Sequence, residues 1–287
     1  MELIKPVIVI GMHRSGTSLV SSLLQKMGVF MGHYRDKNEE SWFFLKANHW
    51  IMNQFAATWD YPTNYNLVGD NEDEMVLRVL KKQMSGFYAR FKYFGPALFL
   101  SSNFQTYSKC WGWKDPRNTF TLPLWLKMFP EAKVIAIQRN PLDTCSSMVK
   151  RERLKHQKLL NSNFEGDAKS YIYKGSFFNT SLRLQEYKSC FDLWKEYNQK
   201  TMSHVSEGRV DCTIKYESLL ENPLPFLKEL NTLLQLDKDE AQLCSLEASI
   251  DKSRAYAYSF KNEEVRAFYQ SIQNDALVAE LGYSDLQ

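Results

Sequence analysis

Pro6-Val7-Ile8-Val9-Ile10-Gly11-Met12-His13-Arg14-Ser15-Gly16-Thr17-Ser18 is the stretch that decides the fold. Its first five residues form a short apolar, β-branched run, the pattern of a strand buried on both faces in a parallel sheet. The run ends in a loop from Gly11 to Gly16, and a helix is predicted next. Leu19, Leu23 and Met27 share one face of that helix, and Gly28 stops it. The loop has the G-x-x-x-x-G spacing of a phosphate cradle. There, successive backbone N–H groups curl around an anion and the helix N-terminus adds partial positive charge. The nucleotide triphosphatase signature requires Lys after the second glycine. Here Thr17 holds that position and the cation sits inside the loop, at Arg14. No later apolar strand ends in a convincing metal-binding Asp. Both features disfavour an ATPase or a kinase.

Outward from the loop, Ala132-Lys133-Val134-Ile135-Ala136-Ile137 and Val210-Asp211-Cys212-Thr213-Ile214-Lys215 read as further strands. Leu184, Tyr187, Phe191 and Trp194 recur at helical spacing. Strands alternating with helices predict an α/β fold, a parallel sheet flanked by helices, in a single domain over 1–287. Ligands of such sheets sit at the carboxyl ends of the strands, where three polar turns fall. Gln157 to Phe178 is the least regular stretch and reads as a surface excursion or lid. Asn38 to Asp60 is rich in aromatics (Trp42, Phe43, Phe44, Trp50, Phe55, Trp59). Core packing is the first reading of these rings, and an acceptor pocket is the second.

Composition narrows the class. The chain has 287 residues, 44% of them apolar, and a formal charge of +3. That length buries a core without disulfides or metals. The charge is too small to imply a nucleic-acid surface and suits an anion held in a local basic pocket. Cys110, Cys145, Cys190, Cys212 and Cys244 contain no C-x-x-C pair, which predicts reduced, mostly buried thiols and a cytoplasmic setting. The first strand follows Met1 so closely that no signal peptide or anchor is expected. No apolar run approaches a membrane span, so a soluble chain is expected.

Two more motifs join the loop. After Ile137 comes Arg139-Asn140-Pro141-Leu142-Asp143-Thr144-Cys145-Ser146-Ser147. An Arg at a strand end and a Ser two helical turns on can converge on one phosphate, the Arg by a fork of donors. After the third strand comes Tyr216-Glu217-Ser218-Leu219-Leu220-Glu221-Asn222-Pro223. The loop resembles the 5′-phosphosulfate loop of sulfotransferases that use 3′-phosphoadenosine 5′-phosphosulfate (PAPS). In the form His-Arg-Ser-Gly-Thr it is closer to the tyrosylprotein and carbohydrate branches than to the cytosolic phenol and steroid branch. Arg139 and Ser147 match that family's 3′-phosphate site, and the third motif resembles its Y-E-x-L-x-x-N-P stretch, whose Tyr contacts adenine.

The resemblance implies a P-loop NTPase-like sulfotransferase architecture. It implies PAPS as co-substrate, no metal, and transfer to an acceptor hydroxyl on a sugar, a peptide tyrosine, a lipid or a small metabolite. Arg14, Ser15, Gly16, Thr17, Ser18, Arg139, Ser147 and Tyr216 are then the donor-binding residues. Trp111-Gly112-Trp113-Lys114-Asp115-Pro116-Arg117 resembles the family's K-D-P stretch, whose Lys stabilises the group in transit. The phenol-type His that would follow that Lys is missing. In the tyrosylprotein and carbohydrate branches the base is a Glu beyond the first helix, and the resemblance puts that role on Glu40 before Glu39, with His33 and His13 in reserve. Arg117 has phosphate or acceptor as alternatives, and Arg254 is a candidate for a basic loop over the nucleotide. The alternatives are a nucleoside or small-molecule kinase and a non-catalytic nucleotide-binding module.

Overall fold

A computed structural model describes residues 5–100, 102–161 and 180–286. Four strands, Val7–Gly11 (β1), Gly112–Lys114 (β2), Lys133–Gln138 (β3) and Cys212–Lys215 (β4), pair in parallel in the order β2-β1-β3-β4. The helices are Thr17–Lys26 (α1), Trp42–Gln54 (α2), Asp70–Ser85 (α3), Phe87–Phe94 (α4), Asn118–Met128 (α5) and Pro141–Leu160 (α6). They continue with Tyr187–Ser206 (α7), Tyr216–Glu221 (α8), Pro223–Leu233 (α9), Glu240–Ala248 (α10), Glu263–Ile272 (α11) and Ala276–Glu280 (α12). The chain groups into two compact units, Met1–Arg139 with Glu196–Ala257, and Asn140–Lys195 with Tyr258–Gln287.

The first unit carries the whole sheet. Val7, Ile8, Val9 and Ile10 are fully buried, each worth about 1.5–3 kcal/mol of apolar burial. Val7 and Val9 join Ile135, Ile137, Cys212 and Ile214 in a core closed by Val20, Leu23 and Leu24 of α1 and by Leu219, Leu227 and Leu230. Among the described residues β4 pairs only with β3, and its burial alternates as an edge strand's does. It starts at Cys212, two residues later than the sequence pattern suggests. Asp211 instead turns the chain in, its carboxylate accepting the Val134 N–H at 2.9 Å and the Lys133 ammonium at 2.7 Å.

β2 was not foreseen as a strand. It is three residues long and ends in a lysine, too short for a periodicity to register. What holds it is aromatic: the Trp113 ring stacks on Phe44 of α2 at 3.9 Å, and Trp125 of α5 meets both rings. The core reading of the aromatic segment therefore holds for Phe44. Trp59 instead sets its edge against His13 of the loop at 4.7 Å.

α5 contains Pro123, which a sequence reading takes as a breaker. Proline leaves the carbonyl four residues back, on Thr119, without its helical donor. His204 of α7 supplies one from Nε2 at 2.8 Å. Burial pushes that imidazole down to about 4. It is therefore neutral, and the N–H it keeps is the one it donates.

In the second unit, α6 packs against a 3₁₀ turn at Arg183–Gln185 and against α11. Leu184 belongs to that turn, not to the helix in which its spacing placed it, because Glu186 is extended and restarts the helix at Tyr187. Glu152 of α6 is buried with Arg151 at 2.6 Å, Lys155 at 3.1 Å and the Ser181 N–H at 2.9 Å. Of the stretch expected to be irregular, 157–160 are the last turn of α6. The rest of the stretch expected as a surface excursion or lid, from 162 to 178, lies outside the described residues.

Candidate functional site

The order β2-β1-β3-β4 makes β1 and β3 the point where successive connections diverge, and α/β sheets bind ligands outside the strand ends there. The turns after β1, β2 and β3 open on that edge. In the first of them Arg14 has φ 71° and Gly16 φ 98°. Ser15 between them bonds back to the Met12 carbonyl through its N–H at 3.2 Å and its hydroxyl at 2.7 Å. Left-handed residues on either side of an ordinary one turn successive N–H groups toward one side, the geometry of an anion nest. A non-glycine residue held at positive φ is strain kept by its surroundings, of the kind found at ligand clamps. The Gly11 N–H, bonded to Thr119 Oγ1 at 3.0 Å, pins the loop to α5. Gly16 has no substitute, since a Cβ there would fall 2.1 Å from the Tyr216 ring. Arg14 is exposed and Thr17 is buried at the start of α1.

Lys114 and Glu40 meet in the interior. Lys114 is 1% exposed and Glu40 3%, and Lys114 Nζ lies 3.1 Å from Glu40 Oε1. Arg117 approaches the other carboxylate oxygen at 3.8 Å. Lys114 also donates to the Asn38 carbonyl, which accepts the Ser18 hydroxyl of α1 at 2.8 Å. One backbone oxygen thus ties the first turn after the loop to the lysine and to the segment carrying the carboxylate. Burial pushes the Glu40 carboxyl up to about 7, against the pull of Lys114 and Arg117. Glu39 is placed differently. At φ 63° it turns away and accepts from Gln25 Nε2 at 2.9 Å and Arg35 at 2.8 Å. His33 sets its ring against Tyr34 and Gly95.

Arg139 leaves β3 beside the loop. It donates to the Arg14 carbonyl at 3.2 Å and the Arg254 carbonyl at 3.0 Å, and its guanidinium lies over the Tyr216 ring at 4.3 Å. Tyr216 is only 4% exposed, with its ring under Gly16 and Arg139. Arg254 reaches this group through its backbone, while its side chain is largely exposed and 3.5 Å from Asp251. Ser147 is partly buried in the second turn of α6, in the second unit.

The sequence reading missed Asn48, Asn118 and Thr119. Asn48 is fully buried. Its amide donates to Asp115 at 3.0 Å and to Asn118 at 2.8 Å, and its carbonyl accepts from Thr121 at 2.9 Å and Trp125 at 2.8 Å. A polar residue in the apolar stripe Phe44, Ala47, Ile51, Met52 was the available signal. Two cavities of about 560 and 640 Å³ open elsewhere, lined by residues such as Pro6, Phe129 and Lys133 at the amino edge of the sheet. Lys114, Glu40 and the loop from Gly11 to Gly16 line neither of these cavities.

Residues 6–240 match the sequence profile of the sulfotransferase family. Among solved structures, the sulfotransferase from Alicyclobacillus acidocaldarius is 15% identical, with TM-score 0.50 over 97% of this chain and 95% of its own. The sulfotransferase domain from the curacin biosynthetic pathway is 15% identical, with TM-score 0.49 over 95% of this chain and 98% of its own. Mouse sulfotransferase SULT7A1, solved with PAP, is 13% identical, with TM-score 0.43 over 88% of this chain and 65% of its own. No curated protein matches the chain closely enough to count as a relative. Among the described residues no helix is long and apolar enough to cross a membrane.

Proposed function

The chain belongs to the sulfotransferase family, and from that premise we propose that it moves the sulfuryl group of PAPS to an acceptor hydroxyl, with Glu40 as base and Lys114 as the cation on the group in transit. The observation that carries this reading is the buried pair: a carboxylate lifted to about 7 by burial, 3.1 Å from an ammonium, joined through Asn38 to the start of α1. A base works best with its pKa near the working pH.

The donor's 5′ end belongs to the N–H groups of the loop, with Arg14, Ser15, Gly16, Thr17 and Ser18. Its 3′-phosphate belongs to Arg139, with Ser147 as the partner the family resemblance assigns. Tyr216 bears on the adenine side, and its buried ring also props Gly16 and Arg139. In the reaction Glu40 takes the acceptor proton, the acceptor oxygen bonds to sulfur, and the bond from sulfur to the 5′-phosphate oxygen breaks. 3′-Phosphoadenosine 5′-phosphate (PAP) leaves. As in phosphoryl transfer, placement and charge do most of the work. The sulfuryl group carries less charge than a phosphoryl, so Lys114 and Arg14 serve where a kinase uses Mg²⁺. The family match, residues 6–240, takes in 140–195 of the second unit along with most of the first, which supports one working domain. Five cysteines without a disulfide support a reducing, cytoplasmic setting.

The acceptor is a hydroxyl compound. A panel of sugars, tyrosyl peptides, lipids and small alcohols, incubated with sulfur-35-labelled PAPS, is expected to show label in at least one class. Transfer of labelled γ-phosphate from ATP instead, with none from PAPS, would make the chain a kinase.

A further inference from the structure

Arg117 has no role in the scheme above, yet its guanidinium is held by Asp115 and is only 13% exposed. Asp115, fully buried, accepts the Arg117 backbone N–H at 2.9 Å and its guanidinium at 3.1 Å on one carboxylate oxygen. Its other oxygen accepts from Asn48 at 3.0 Å. Asn48 is fixed in turn by Asn118, whose amide donates to the Val9 carbonyl of β1 at 3.1 Å and whose own carbonyl accepts the Trp113 indole at 3.1 Å. A chain of buried hydrogen bonds therefore runs from the central strand to the Arg117 guanidinium, which ends 3.8 Å from Glu40 Oε2. A connected, largely buried network of this kind restricts the geometry of its members.

Lys114 has two claims on it. In the structure it pairs with Glu40, and in the proposed reaction it serves the sulfuryl group. When it turns to the donor, Glu40 loses its nearer cation while remaining buried. We propose that Arg117 is a positioning residue for Glu40: locked by Asp115 and, through it, by Asn48, it keeps a cation on the carboxylate while Lys114 is engaged elsewhere. The inference rests on Glu40 being the base. The charged groups facing Glu40 are Lys114 on β2, Asp115 and Arg117 in the turn after it, and Asp36 on the preceding loop. Of these, Lys114 and Arg117 favour the ionised carboxylate, and Asp115 and Asp36 oppose it.

The test reads the Glu40 carboxyl directly. Protein labelled with carbon-13 at the glutamate carboxyls is titrated by NMR without ligand, and the Glu40 signal is assigned by its loss in Glu40→Gln. Arg117→Gln is expected to raise the Glu40 midpoint by about one pH unit or more, the usual effect of losing an opposite charge at this range. Arg117→Lys should return most of the shift. Asn48→Ala should give a smaller rise that vanishes in the Arg117→Gln background, since the two act in series. If Asn48→Ala does not fold, the two Arg117 variants decide the matter. An unmoved midpoint in Arg117→Gln overturns the role of Arg117, even where Glu40→Gln is inactive and the base assignment stands. Full turnover by Glu40→Gln removes the base assignment itself, whatever the titration shows.

Discussion

Glu40→Gln is expected to lower kcat by roughly 10²–10⁴-fold, the usual loss for a positioned general base, while PAP affinity stays within a few-fold of wild type. The split follows from the geometry. Glu40 lies 3.1 Å from Lys114, in the interior, and the anion loop is built from other residues. Glutamine keeps the shape and a hydrogen-bonding oxygen but cannot take a proton. The loss should therefore fall on turnover and not on donor binding. The same residue fixes the pH dependence. A base acts ionised, and burial pushes this carboxyl up to about 7. Wild-type kcat/KM should hold above that pH and fall as pH drops through it. Glu39→Gln should leave turnover nearly untouched, because Glu39 is engaged by Gln25 and Arg35. Steady-state kinetics on the two variants, beside calorimetric PAP binding, checks all three statements. Normal turnover in both would send the search for a base to His13 and His33.

The second large effect belongs to the donor. Arg139→Ala is expected to cost about 2–5 kcal/mol of PAPS binding, the range for truncating one partner of a buried charge pair. That is roughly a 30- to 5,000-fold loss in affinity. Adenosine 5′-phosphosulfate lacks the 3′-phosphate and should barely respond. The comparison is needed because Arg139 also braces the loop, through the Arg14 carbonyl and the Tyr216 ring. Equal losses for the two nucleotides would mean the brace is its main work.

Much of this was legible in the sequence, and the failures have physical causes. β1, α1 and β3 were readable because parallel strands buried on both faces are continuous apolar runs and because glycines mark the turns. The loop's departure from the nucleotide triphosphatase signature was readable because Arg14 stands inside it and Thr17 follows Gly16. β2 was not readable, since a strand ending in a buried lysine looks like surface until its carboxylate partner, 74 residues earlier, is known. α5 carries Pro123, whose cost is offset by a histidine 85 residues from Thr119. Nor could the sequence show that Glu39, at φ 63°, accepts from Gln25 and Arg35 while Glu40 meets Lys114. Such long-range pairings leave no local pattern.

The central claim is that this loop and Arg139 take a 3′-phosphorylated adenine nucleotide, not a triphosphate. The most direct measurement is the shift in melting temperature of the wild-type chain with PAPS, with PAP, and with ATP plus Mg²⁺ at equal concentrations. A ligand that binds only the folded state raises the midpoint by mass action. PAPS and PAP are expected to raise it clearly and ATP with Mg²⁺ much less. A larger shift with ATP would contradict the account.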